Sequence, residues 1–503
     1  MSAAPTAPHS RARRGRLLVA LLALLTAIAE PALAAAPPPP WSTLQADLDR
    51  LQHAHRVPLL VLVLIRPGEP PRVHIGTLPG RAPAGPGTPF RWGSISKTAT
   101  AMTALEAARQ RGIDLDTPVA QLLADPPYRN PWAPAQPLRL AHLLELSAGL
   151  ADLSHAEFAD NAPRPLADAL ARGADRRMLL WPPGLQHVYS NVPPGITAAV
   201  VETLTGLPFD AAARRLVFEP LGMTGASYQP VAGLPGGFQA DGATAIPYWH
   251  MTFPAFGALN ASPAAMAALL QALLDRGRVA GRQGVDAATV ARMYRAEATL
   301  GARRGLTIGY GAGLYGWVRD GHLFFGHGGD ADGYRSRLGL LPRSRRGYLL
   351  GINVDAADLF ENLRNRVERF LSADLEVPAP PPEFADDPAA LTALAGIYYP
   401  SSARFRIDRW RAGEAASARV EVAGRRLRFH RGDRRVELLG VAPGRFRRQG
   451  DPAVSVVFAE RDGTLFLQGE LGNFARLEPG CAGFLPGCPP PALTLQGPDR
   501  AAH

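Results

Sequence analysis

Lysine is almost missing from this chain. Of its 503 residues, 54 are lysine or arginine; Lys97 is the single lysine, and arginine supplies the other 53. Either residue serves as a surface cation, but arginine stays protonated at any accessible pH, whereas a buried lysine can lose its proton and act as a base. Lys97 is therefore a candidate catalytic group before any motif is read. Cysteine is nearly as scarce. Cys481 and Cys488 are too few for a disulfide scaffold and have no nearby histidines for zinc, although in an exported chain they could close a small loop. Aromatic residues make up 7% and charged residues 19%, against 47% hydrophobic, which excludes wholesale disorder. No Gly-rich phosphate loop or dinucleotide fingerprint occurs. His53 and His55 lack a third ligand nearby, and Asp330-Ala331-Asp332-Gly333 lacks the later glutamate of a calcium loop. No metal or cofactor is predicted. The formal charge of +10 comes without a nucleic-acid motif, so neither DNA nor RNA is an expected partner.

The length allows about three structural units. Arg11, Arg13, Arg14 and Arg16 precede an apolar run from Leu17 to Ala29, and Ala32-Leu33-Ala34 offers small residues for cleavage. Residues 1–34 thus read as a signal peptide, predicting a periplasmic or secreted protein; an uncleaved inner-membrane anchor is the alternative. No later run is long and apolar enough to span a bilayer. After the spacer Pro37–Pro40, residues 35–375 read as one domain. A helix from Trp41 and strands at Pro58–Ile65 and near Val73–Gly76 come first. A helical middle from Ser94 to Met293 follows, with strands around Gly316–Phe325, Leu338–Leu341 and Tyr348–Asn353 and a helix over Leu359–Leu371. Strands at both ends and helices between predict an α/β architecture with an all-α subdomain. Residues 376–388 are a Pro-rich linker, 389–480 a small all-β domain and 481–503 a tail. Residues 401–450 carry 14 arginines against five acids. They read either as a face for an anionic envelope surface or as the solvated outer side of arginine-rich strands.

Three short patterns carry chemistry. Ser94-Ile95-Ser96-Lys97 opens a helical stretch, and a spacing of three puts Ser94 and Lys97 on one face. A serine hydroxyl is a poor nucleophile until a base removes its proton, which a desolvated lysine can do. Tyr189-Ser190-Asn191 follows the turn-rich Trp181-Pro182-Pro183-Gly184; its phenol can share a proton, and its amide can both donate and accept. Gly326-His327-Gly328-Gly329-Asp330 follows the apolar Leu323-Phe324-Phe325, read as a buried strand ending in glycines that let backbone approach a ligand.

In this order the three patterns resemble the serine β-lactamase and penicillin-binding-protein superfamily, in particular the class C β-lactamase-like group that includes D-peptidases, D-aminopeptidases and esterases. Pro89-Phe90-Arg91-Trp92-Gly93, Leu143-Leu144 with Gly149-Leu150, and Glu219-Pro220-Leu221-Gly222-Met223 are similar to its usual surroundings. The resemblance implies a β-lactamase-like antiparallel sheet flanked by helices, with the C-terminal domain similar to the barrels attached to several such hydrolases. It implies Ser94 as acylated nucleophile, Lys97 as its proton-transfer partner, Tyr189 as general base or relay, and Asn191 as a substrate-orienting amide. His327 stands where the family's Lys-Thr-Gly form has lysine, with Gly328 and Gly329 completing the motif. Backbone N–H groups of Ser94 and Asp330 would form the oxyanion hole. The expected activity is a serine hydrolase acting on an amide or ester: a D-amino-acid peptide or amide, an ester, or a β-lactam. The alternative is a penicillin-recognising sensor or binding protein with little turnover. Histidine carries less assured charge than lysine, so strong capture of a β-lactam carboxylate is not expected.

Overall fold

The computed structural model describes residues 1, 40–160, 162–402, 404 and 417–476. The predicted signal peptide, most of the Pro37–Pro40 spacer and both cysteines lie outside them.

The chain opens with helix α1 (Trp41–Ala54) and then strands β1 (Leu59–Ile65) and β2 (Arg72–Thr77). A mostly helical middle includes α2 (Ser96–Arg111), α3 (Val192–Thr205) and α4 (Pro263–Leu274). The chain then returns to the sheet as β3 (Tyr315–Arg319), β4 (His322–Ala331), β5 (Tyr334–Leu341) and β6 (Arg346–Ile352), and covers it with α5 (Ala357–Ser372). The six strands lie in the order β3-β4-β5-β6-β1-β2, every neighbouring pair antiparallel.

Strand β1 shows why the sheet is a middle layer. Its sequence, Leu-Leu-Val-Leu-Val-Leu-Ile, is an uninterrupted apolar run, as expected of a strand buried on both faces. Successive side chains point to opposite sides. Leu59, Val61, Val63 and Ile65 join the core shared with the helical middle, while Leu60, Leu62 and Leu64 pack beneath α1 and α5. On the first side lies α2, buried without a break from Ser96 to Ala108; its alanines let neighbouring elements approach closely. A helix covered on every side belongs inside a core, and its buried Thr98, Thr100, Thr103 and Glu106 are each hydrogen-bonded there. It ends at Gly112, whose φ of +63° supplies the left-handed cap.

The strand expected over Gly316–Phe325 is instead a hairpin, β3–β4, turning at Asp320-Gly321. Both residues have positive φ, +47° and +78°, the requirement of a tight two-residue turn that Asp-Gly meets. Strand β4 also runs on through the glycines to Ala331 where the sequence suggested an end.

Beyond the helix α6 (Pro388–Leu394), eight antiparallel strands close into a barrel: β7 (Gly396–Pro400), β8 (Ala418–Ala423), β9 (Arg426–Arg431), β10 (Arg434–Ala442), β11 (Arg445–Arg448), β12 (Val456–Arg461), β13 (Thr464–Gly469) and β14 (Gly472–Arg476). Its interior is packed by Leu427, Phe429, Leu438, Phe446, Phe458 and Phe474, with Leu391 of α6 against them. The barrel is docked on the larger domain. Ala459, Phe466 and Ala475 share an apolar cluster with Trp181, Leu185, Val188 and Leu300.

Candidate active site

A single 3-10 turn, Gly93–Ile95, precedes α2 and carries Ser94 half-buried at the edge of β4. Two glycines permit this approach. A Cβ on Gly93 would come within 2.8 Å of the Asp330 main chain, and one on Gly329 within 2.0 Å of the Trp92 carbonyl oxygen. The Ser94 turn and the Asp330 backbone therefore lie side by side, as a shared oxyanion pocket requires.

Lys97, the second residue of α2 and one turn beyond Ser94, is 3% exposed and reaches back toward it. Its Nζ lies 2.9 Å from Ser94 Oγ, 2.7 Å from Asn191 Oδ1 and 2.8 Å from the Phe256 carbonyl oxygen. All three partners are uncharged. Desolvation outweighs the favourable field of Asp152, and the nearby Arg404 adds repulsion, so the ammonium pKa falls from 10.5 to about 7. The geometry also selects which proton leaves. Asn191 and Phe256 hold two N–H groups as permanent acceptors, so a neutral amine directs its lone pair at the third position, Ser94 Oγ.

Tyr189 donates its phenolic O–H to Ser94 Oγ at 2.9 Å, from the loop immediately before α3. Enclosure raises its pKa well above the ordinary 10, only partly opposed by the Ser94 hydrogen bond and Arg404, so the phenol stays protonated at neutral pH. Ser94 is thus flanked by a titratable amine on one side and a hydroxyl donor on the other.

Asn191 is aimed by a residue that sequence reading missed. Asp152 accepts from the Asn191 backbone N–H at 2.7 Å and from Nδ2 at 3.1 Å, which turns Oδ1 toward Lys97. The Asp152 side chain is 1% exposed and is met by Arg404 Nε at 2.7 Å. The Arg404 guanidinium also lies 4.9 Å from the centre of the Tyr189 ring. Asp152 stands just after the Gly149-Leu150 pair, which is the one local pointer to it; nothing local marks Arg404.

His327 faces the same pocket from β4, 1% exposed, its ring centre 6.3 Å from that of Tyr189. Nδ1 donates to the Gly328 carbonyl at 2.5 Å, so Nε2 accepts from Tyr310 Oη at 2.9 Å. Both nitrogens are used by a neutral ring. Burial and the Lys97 charge hold its pKa down at about 3, so His327 supplies hydrogen bonding and shape without positive charge.

The cavity in front of Ser94 measures about 680 Å³, and one wall belongs to the barrel. Gln468, Gly469, Glu470 and Asn473 line it beside Tyr310, Tyr315, Trp249 and Phe158. Gln468 Nε2 donates to the Leu185 carbonyl and Asn473 Nδ2 to the His187 carbonyl, both at 2.9 Å. Gln186 Nε2 donates to the Ser401 carbonyl at 2.6 Å. The barrel thereby grips the segment that leads directly into Tyr189.

The structure thus brings Ser94, Lys97, Tyr189, Asn191, His327, Gly328 and Asp330 to one cavity, with Gly329 packed behind it against Trp92. His53 and His55 stay on α1 and its cap, and among the described residues no group of three or more His, Cys, Asp or Glu is placed to hold a metal. No helix among them is long and apolar enough to cross a membrane.

Comparison with known proteins points the same way. The family model described as Beta-lactamase matches residues 44–370. Penicillin-binding protein 4 of Amycolatopsis lactamdurans is 28% identical over 379 residues, covering 70% of this chain and 96% of that protein. Among solved structures, SurE with D-Leu superposes with a TM-score of 0.56 at 22% identity, covering 87% of this chain and 99% of that one. D-amino acid amidase from Ochrobactrum anthropi SV3, complexed with L-phenylalanine, gives 0.55 at 23% identity over 66% and 97%. With its antiparallel sheet, flanking helices and C-terminal closed barrel, the chain belongs to the β-lactamase family, the penicillin-binding-protein-related serine hydrolases.

Proposed function

We propose that this protein is an exported serine hydrolase that acylates Ser94 from a neutral or amine-bearing ester or amide and then hydrolyses the acyl-enzyme. The observation that carries the reading is Ser94 Oγ held 2.9 Å from both Lys97 Nζ and Tyr189 Oη, with the lysine poised to ionise near pH 7. In the acylation step the neutral Lys97 takes the Ser94 proton while Oγ bonds to the substrate carbonyl carbon. Tyr189, protonated at rest, passes a proton to the departing amine or alkoxide and is resupplied from Lys97. It acts as the relay and Lys97 as the base. Water then attacks the acyl carbon by the reverse proton path, releasing the acid and Ser94. Asn191 orients the substrate amide or carbonyl, and backbone N–H groups of Ser94 and Asp330 receive the developing oxyanion.

Charge in the cavity narrows the acyl donor. Four carboxylates line it, Asp330, Asp332, Asp355 and Glu470, against two guanidinia, Arg335 and Arg404. Arg335 already contacts Asp330 and Asp355, and Arg404 contacts Asp152. With His327 neutral, an anionic substrate meets carboxylates in excess, which disfavours β-lactams and C-terminal carboxylates and favours neutral esters and amides with a free amine. An amide of a D-amino acid is a fitting first probe, the class named for one solved structure of this fold.

Protein lacking residues 1–34 should hydrolyse p-nitrophenyl esters and D-amino-acid anilides faster than a chromogenic cephalosporin. Ser94→Ala should lose about 10³-fold or more, and intact mass should show one acyl adduct on the wild type. Equal rates for wild type and Ser94→Ala would remove the proposal. Export rests on the N-terminal basic and apolar segment. Docking of the barrel to an anionic surface rests on Arg419, Arg425, Arg431, Arg434 and Arg435, all exposed, whereas Arg426, Arg428 and Arg448 are tied to carboxylates. Binding of the full chain to anionic vesicles, abolished when Arg431, Arg434 and Arg435 are changed to glutamate, is the expected result.

A further inference from the structure

We infer that Arg404, delivered to the active site by the chain that follows the first barrel strand, is a positioning residue that neutralises Asp152 and so frees Lys97 to work as a base near neutral pH. The inference rests on the reading of Lys97 as the base, and it makes the barrel a working part of the site.

The argument is a chain of four contacts. Lys97 Nζ donates to Asn191 Oδ1 at 2.7 Å, Asn191 Nδ2 donates to Asp152 Oδ2 at 3.1 Å, and Arg404 Nε donates to the same Oδ2 at 2.7 Å. A fourth contact fixes the backbone: the Asp152 N–H donates to the Arg404 carbonyl at 2.9 Å, so the two residues are tied by main chain and side chain together. Asp152 is a buried anion one amide away from a buried amine. Left alone, it would hold Lys97 in its charged form, which cannot accept the Ser94 proton. Arg404 cancels that charge and adds a repulsion of its own. The two fields act on Lys97 in opposite directions, Asp152 upward and Arg404 downward.

The other groups facing Lys97 do not replace this pair. Tyr189, whose ring centre lies 5.0 Å from Nζ, is a protonated phenol, and His327 on β4 is neutral. Ser94, Asn191 and the Phe256 carbonyl are uncharged. The charge balance at the amine is therefore set by Asp152 and Arg404, one from the hydrolase domain and one from beyond the linker. The barrel holds its partner in register through Gln468, Asn473 and Ser401 on residues 185–187.

The composition of the chain supplies a direct test. Because Lys97 is the only lysine, protein grown with ¹³C-lysine gives a single side-chain signal whose shift reports that one ammonium as pH is varied. The wild type should titrate near 7. Arg404→Met, a change at a side chain 45% exposed, should fold normally and move the midpoint up by about one unit, and kcat/KM at pH 7 should fall about fivefold and recover at pH 9. Arg404→Lys, which keeps the charge and adds a second lysine signal assigned by its persistence in the Arg404→Lys, Lys97→Met double variant, should keep the Lys97 midpoint within about 0.3 unit of the wild type. Adding Asp152→Asn to Arg404→Met should bring the midpoint back down. An unchanged midpoint in Arg404→Met overturns the inference, as does a midpoint that moves equally in Arg404→Lys. The NMR readout needs no turnover, so loss of this inference is separable from loss of the hydrolase reading, which Ser94 acylation tests.

Discussion

Two of the charges buried in the hydrolase domain, Glu368 and Lys97, are treated in opposite ways. Glu368 on α5 is 0% exposed beneath the sheet, where it accepts from Tyr348 Oη at 2.7 Å, Trp317 Nε1 at 3.1 Å and Arg319 Nε at 3.0 Å. It has a counter-ion in direct contact and two neutral donors besides. Lys97 is 3% exposed and is given only uncharged acceptors, its nearest anion standing behind an asparagine. A buried ion with its counter-ion in contact serves as a structural tie, because breaking the pair strands a charge in a poor solvent. A buried amine among neutral dipoles sits near the edge of ionisation. The first arrangement fixes α5 to the sheet. The second leaves a base available at neutral pH, the condition for acid–base chemistry.

The contrast breaks most sharply by mutation. Lys97→Met should cost about 10²–10⁴-fold in kcat while leaving stability equal to or above wild type below pH 7, since it removes an uncompensated burial. Glu368→Ala should do the reverse. It strands the Tyr348 hydroxyl and the Arg319 guanidinium and should cost about 3 kcal/mol in urea unfolding, with kcat of the surviving folded enzyme within about twofold. If Lys97→Met unfolded as readily as Glu368→Ala, the two sites would not differ in kind.

Next in size is pH. The base form of Lys97 appears as pH rises through about 7, so kcat/KM should climb with an apparent midpoint there. Stability follows a different window. Between about 7 and the ordinary 10.5 the unfolded chain holds a proton on Lys97 that the folded chain has released, so stability rises with pH across that span. The gap between wild type and Lys97→Met should close accordingly by pH 10. Acid acts through the histidines. His327 is held at about 3 and His142 and His187 at about 4, each chiefly by burial, against an ordinary 6.5. Unfolded imidazoles gain protons that the folded ones refuse, so stability should fall from about pH 6.5 toward 4 in equilibrium unfolding. His187→Gln should blunt that fall.

Sequence alone goes far at this site because Ser94, Lys97, Tyr189, Asn191 and His327 each sit in a short local pattern: a helical spacing, a turn before a helix, a glycine-rich strand. The sheet was legible for a similar reason, since β1 is one unbroken apolar run between turn residues. Residues that act across the fold left no such trace. Phe256 serves through its carbonyl oxygen, so its side-chain identity carries no signal. Arg404 is one of 14 arginines in a stretch that reads as surface charge, and only the docking of the barrel brings it to Asp152. Strand β4 outran its expected end because its glycines do not stop the strand; they let it lie against Trp92.

Glu470 stands between the two extremes, and the smallest predicted effect concerns it. It lies in the barrel turn between Gly469 and Gly472, 18% exposed, on the wall of the cavity, with Arg448 at 3.2 Å as its counter-ion. Burial raises its pKa, Arg448 opposes that rise, and Asp451 adds to it. The carboxylate is thus neither tied by several donors like Glu368 nor left among neutral groups like Lys97, and it lines the cavity a substrate cation would enter. A partly solvated ion pair of this kind is worth about 0.2–1 kcal/mol, or roughly 1.4- to fivefold in binding. Glu470→Gln should therefore raise KM about threefold for a donor bearing a free amine and leave its N-acetylated counterpart unmoved, with kcat unchanged for both. Paired KM measurements on the two donors check it. An equal rise for both would mean that Glu470 shapes the turn and does not meet the charge, and the cavity's preference would then rest on Asp330, Asp332 and Asp355 alone.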